Sequence, residues 1–310
     1  MTLTERRLAF LRRIALICAV MVLCVTSLSA FIRLSKAGLG CGDWPACYGQ
    51  NLRRLQQGAA ASADEQTATA AARLAHRITA STALLLVLMM LMVCFGSRPP
   101  LPHEGLLAIV LLTLALFLAV LGYWSSSARV PAVAMGNLLG GFLMLAGCVR
   151  MAAADWFSPL PRMRAWVGAA AVLVVLQVAL GGLVSASHAG LSCSGWSDCG
   201  LRETLQASGW TSLNPWREPV LGAAPPINPG GALANSLHRH AAALLVLVLL
   251  PLALVALRRG RPRSATALIV LLGVQIAVGL AMSALALPLG LALLHNLLAT
   301  ALLATLLTLA

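Results

Sequence analysis

Two cysteine pairs and a set of histidines carry the reactive groups of this chain, and their spacing repeats. Cys41 and Cys47 close the stretch Ala37-Gly38-Leu39-Gly40-Cys41-Gly42-Asp43-Trp44-Pro45-Ala46-Cys47. Cys193 and Cys199 close Ala189-Gly190-Leu191-Ser192-Cys193-Ser194-Gly195-Trp196-Ser197-Asp198-Cys199. Both read A-G-L-x-C-x-x-W-x-x-C. The C-x5-C spacing suits a short-loop disulfide or a redox-active thiol pair on an oxidising side of a membrane. A zinc site calls for closer pairs and more ligands. Spacing alone does not decide between a structural bridge and one that exchanges electrons. Downstream of each copy comes a His-Arg step, His76-Arg77 and then His238-Arg239. Two matches in one order mark a duplicated half.

Histidine in a membrane span is costly and marks function by default. His76 and His238 fall near the outer ends of the second and sixth apolar segments, and His295 near the outer end of the eighth. All three therefore share one depth, and His238 and His295, opening two helices of one half, have the arrangement a bis-imidazole haem site needs: two rings from facing helices with a flat apolar slot between them. Arg77 and Arg239 can neutralise haem propionates, or snorkel to lipid headgroups. His240, two residues past His238, is turned to nearly the opposite helix face. His103 reads as a solvated residue of a cytoplasmic loop, and His188 has no assigned role. Cys18, Cys24, Cys94 and Cys148 lie inside apolar runs and read as small buried hydrophobes.

The elements that must position these groups are membrane helices. Of 310 residues 60% are hydrophobic and 10% charged, and the mean hydropathy is +0.89. So little charge excludes an ordinary soluble domain. The net charge of +13 is explained by arginines flanking membrane segments, not by nucleic-acid binding. Eight apolar segments approach spanning length: Ile14–Ile32, Ala75–Phe95, Leu106–Trp124, Pro131–Met151, Ala165–Val184, Leu237–Leu257, Ala265–Leu285 and Leu289–Leu309. The first reads as a span, not a cleavable signal. The Ala-rich stretch 59–72 can extend the second span outward, and a tight turn at Pro288 and Gly290 joins the last two.

Arg6, Arg7, Arg12, Arg13, Arg98, Arg150, Arg162, Arg164, Arg258, Arg259, Arg261 and Arg263 fall in alternate connections, with Arg129 a minor exception. The positive-inside rule then puts both termini in the cytoplasm and the two cysteine loops outside. An even number of spans separates the two copies, so the halves are parallel repeats. The expected fold is an all-α polytopic membrane protein, eight transmembrane helices in two pseudo-symmetric four-helix bundles. Residues 1–155 form one half and 156–310 the other.

In combination, the chain resembles the haem A synthases, in the bacterial form with outer cysteine pairs. The resemblance rests on Gly38-Leu39-Gly40-Cys41-x-Asp43-Trp44-Pro45-x-Cys47-Tyr48-Gly49, the His-Arg pairs, Asn137-Leu138-Leu139-Gly140-Gly141 and His295-Asn296. It implies oxidation of a methyl group of haem O to the formyl group of haem A for cytochrome oxidase biogenesis in a bacterial inner membrane. It implies haem b in the second half with His238 and His295 as axial ligands, and His76 facing the substrate haem in the first. Cys41 and Cys47 would be the outer catalytic pair. Two positions depart from the family pattern. Arg73 stands where a glutamate precedes the first-half histidine, and Asn137 (or Gly136) stands where a histidine opens the fourth span.

Other readings are a non-catalytic or electron-transferring haem b protein, a membrane thiol–disulfide oxidoreductase, and a transporter, the last weakened by the absence of intramembrane carboxylates. Expected partners are haem O, a haem O-producing membrane enzyme and the lipid bilayer, with no nucleic acid; a homo-oligomer is compatible. The electron acceptor is not specified.

Overall fold

The computed structural model describes residues 2–36, 49–50, 53–54, 57–58, 63–96, 98–125, 130–152, 163–193, 199–222 and 226–309. Among these it contains helices and no strand. The long helices are α1 (Leu3–Lys36), α2 (Ala63–Phe95), α3 (Pro102–Ser125), α4 (Pro131–Ala152), α5 (Arg164–Ala186), α7 (Ala232–Arg258), α8 (Pro262–Ala284) and α9 (Leu289–Leu307); a short α6 (Leu201–Ser208) lies in the loop after α5. The eight long helices are each long and apolar enough to cross a membrane. Many large apolar side chains point outward, among them Leu85, Met92, Leu106 and Leu247, as lipid-facing helix surfaces require.

Local sequence explains the helix ends. At the start of α1 the Thr2 amide donates to Glu5 Oε2 at 2.7 Å, and the Glu5 amide donates to Thr2 Oγ1 at 3.2 Å, a reciprocal capping box. Prolines open α3, α4 and α8, where their missing N–H is not needed. The end of α2 is held by Arg7, whose guanidinium donates to the carbonyls of Val93 and Pro99. Gly260, at φ +77° just past α7, supplies the left-handed residue that ends a helix. Pro251 lies inside α7, and His103 sits in the exposed first turn of α3 instead of a loop.

Among the described residues two large apolar cores form, with a smaller cluster around Leu34, Ile227 and Ala292. One joins α1, α2, α3 and α4 through residues such as Leu11, Val22, Val87, Met90, Leu111 and Met144. The other joins α5, α7, α8 and α9 through Val167, Val174, Leu249, Leu252, Leu268 and Leu303. Helix α4 serves both, with Leu138 and Phe142 toward the second core and Met144, Leu145 and Cys148 toward the first. Its Gly140 and Gly141 lie against Leu118 of α3 and Thr26 of α1, small residues that let helices approach closely in lipid. Helix α1 also packs on α9.

Candidate functional site

His238 and His295 each stand six residues past the first residue of their helix, α7 and α9. That equal depth brings the rings together, with centroids 6.5 Å apart and planes at 72°. Each ring rests on a neighbouring helix at a glycine. A Cβ on Gly181 of α5 would stand 2.8 Å from His238 Cε1, and one on Gly279 of α8 would stand 3.2 Å from His295 Cε1. Any larger residue would force the ring to move.

Two glutamines complete the surroundings. Gln177 of α5 donates through Nε2 to the His238 carbonyl at 2.9 Å. Gln275 of α8 places Nε2 3.1 Å from His295 Nε2. Nδ1 of both histidines and Oε1 of both glutamines are buried without a hydrogen-bond partner. Buried polar atoms with unmet capacity are rare and call for an explanation. Among the described residues no group of three or more His, Cys, Asp or Glu side chains is arranged to hold a metal ion. Two imidazoles are an incomplete shell for a bare ion and a complete axial set for a metal whose remaining positions a planar ligand fills.

The second cysteine loop is fastened to the turn that carries His238. Cys193 and Cys199 are bridged, with Cα atoms 5.6 Å apart, within the ordinary disulfide range. Ser236 Oγ donates to the Cys199 carbonyl at 2.7 Å. Buried Asn235 donates to the carbonyls of Ala189 at 2.9 Å and Gly190 at 3.1 Å. Arg239 donates through Nε to Asn235 Oδ1 at 3.1 Å, and through Nη2 to Ser283 Oγ at 3.0 Å and the Cys193 carbonyl at 3.4 Å. His240 is exposed and bonds back to the Ser236 carbonyl at 2.8 Å through Nδ1. It stays off the face that holds the His238–His295 pair, as its spacing predicts. His188 adopts φ 59° in the turn after α5. The loop also reaches α4, where the Ala132 amide donates to the Pro215 carbonyl at 2.8 Å.

The remaining sequence-identified residues lie on the first-core helices or outside the described set. His76 is half-buried on α2, with exposed Arg77 beside it. Arg73, also exposed, donates through Nη2 to Thr69 Oγ1 at 2.7 Å. Asn137 is half-buried near the start of α4. Cys41 and Cys47 lie outside the described residues, as do Trp44, Arg129 and Arg162. Sequence reading missed Gln177, Gly181, Gln275, Gly279 and Asn235. The first four had a visible signal, since Gln177-Val178-Ala179-Leu180-Gly181 and Gln275-Ile276-Ala277-Val278-Gly279 both read Q-x-A-x-G.

Residues 12–307 match the family model COX15-CtaA, described as cytochrome oxidase assembly protein. A curated relative, the haem A synthase of Shewanella oneidensis, is 33% identical over 214 residues, which cover 62% of this chain and 61% of the relative. The match thus spans about three fifths of that protein's length.

Proposed function

The chain belongs to the cytochrome oxidase assembly protein family, and from that premise we propose that it is a haem A synthase, an oxidoreductase that converts the haem O methyl group to the formyl group of haem A. The observation that carries this reading is the His238–His295 ring pair, at one depth in four packed helices. The residues present fit haem b. Two metal–imidazole bonds of about 2 Å each would place two ring centroids roughly 6 Å apart, beside the 6.5 Å observed. When bound, haem b would supply one-electron redox chemistry.

The chain's own residues then take distinct parts. His238 and His295 would hold the haem iron. Arg239, fixed by Asn235 and Ser283, and Arg77 balance propionate charge. His76 faces the substrate haem in the half formed by residues 1–155, and residues 156–310 hold the cofactor. Cys41 and Cys47 form the outer reactive pair, and the Cys193–Cys199 bridge braces the cofactor helix. In this reading the termini lie on the cytoplasmic side of a bacterial inner membrane, the cysteine loops lie outside, and a haem O-producing membrane enzyme supplies the substrate.

A second reading, a non-catalytic or electron-transferring haem b protein, draws on Arg73 and Asn137 standing where a carboxylate and an imidazole are expected. Co-expression with a source of haem O, followed by haem extraction and mass analysis, separates the two. Haem A and partly oxidised haem O in the extract support the synthase. Haem b and unchanged haem O alone support the second reading.

A further inference from the structure

The eight spans contain two glutamines, and both sit in the same five-residue element. Gln177 and Gly181 lie one turn apart on one face of α5, and Gln275 and Gly279 do so on α8. Each element faces one histidine of the pair, carried by the next long helix in the chain. The glycine leaves room for the Cε1 edge of the ring, at the 2.8 and 3.2 Å a Cβ would otherwise occupy. The glutamine reaches the same residue with its amide, at the His238 carbonyl and at His295 Nε2. The two amide oxygens and two ring nitrogens left without partners cluster at this pair. In hydrocarbon an amide side chain is costly to bury unless it serves a site.

Resting on the bis-imidazole reading above, we propose that the two Q-x-A-x-G elements are the positioning frame of the axial histidines. The glycines set how closely each ring lies to its neighbouring helix. Gln177 anchors the His238 backbone, and Gln275 fixes the orientation and hydrogen-bonding state of the His295 ring. Because partners of a metal-bound imidazole set its basicity as a ligand, Gln275, at one ring nitrogen of His295 with Nδ1 left free, would tune the reduction potential of the haem iron, and α5 would act through the orientation of the His238 ring.

The test uses the full chain purified in detergent with the haem b it carries. Gln275→Leu should keep one low-spin haem per chain and change the ratio of ferric to ferrous affinity at least tenfold, about 59 mV for a one-electron couple. Gln275→Glu, of the same shape, should lower the potential, since a carboxylate beside the ring favours ferric iron. Gly181→Ala should alter the electron paramagnetic resonance g-values by turning the His238 ring. If Gln275→Leu loses its haem, the isosteric Glu variant decides by its potential. Wild-type potential and g-values in the haem-loaded Gln275→Glu and Gly181→Ala variants would overturn the proposal. An unchanged low-spin haem in His295→Ala would instead defeat the axial-pair reading, so the two failures are distinguishable.

Discussion

At the scale of single residues, the membrane makes each polar group informative. Two histidines at one helix depth were readable from sequence because an imidazole in lipid needs a reason to be there. The ligand role proposed for them predicts that His238→Ala or His295→Ala abolishes or converts a low-spin b-type absorption spectrum, since two imidazoles would be needed for a six-coordinate iron. Visible spectroscopy of the two purified variants checks this. The glutamines escaped because an uncharged amide breaks an apolar run without ending it, and only the repeated Q-x-A-x-G pattern could have singled them out. Asn235 gave no such signal: its role depends on a chain reversal that brings the carbonyls of Ala189 and Gly190 to it. Asn235→Ala removes the side-chain donor to those two carbonyls. It should cost about 1–3 kcal/mol, seen as a lower midpoint in thermal unfolding followed by haem release.

At the scale of elements, hydropathy located all eight spans but not their ends. Helix α1 starts at Leu3, well before the apolar run, because the Thr2–Glu5 capping box stabilises polar turns that carry no apolar signal. Helix α2 likewise begins at Ala63, inside the Ala-rich stretch expected to lengthen it. Within the second cysteine loop, composition gave no hint of α6 or of the contacts that tie the loop to α7. Those contacts sit beside His238, so the bridge braces α7 at its first turns. Non-reducing peptide mapping should recover Cys193–Cys199 as a local pair, and Cys41–Cys47 as its counterpart in the first loop. Crossed pairing between loops would count against both. Cys193→Ser should cost about 2 kcal/mol from the loop-closure entropy of so short a ring, read as a lower unfolding midpoint that a reducing agent lowers by less than it lowers that of the unaltered chain.

At the scale of the whole molecule, the two four-helix cores differ in the polar groups they carry. The second set of four pairs two imidazoles, backed by two glutamines and two glycines. In the first set, α2 offers His76, while α4 offers Asn137 at its corresponding end, and α1 and α3 contain no glutamine. An amide is a poor iron ligand beside an imidazole, so a haem placed between His76 and Asn137 would gain one strong bond from that pair. A weakly held haem is what a substrate site needs, because the product must leave. The purified protein should therefore carry one tightly held haem per chain and a second that washes out, measured as haem-to-protein ratio before and after extended dialysis. Asn137→His should raise the retained ratio toward two by completing a second imidazole pair. Arg73→Glu should restore a carboxylate one turn before His76 and increase haem O oxidation in the co-expression assay. Two equally tight haems in the unaltered chain would remove the functional difference between the halves on which the synthase reading depends.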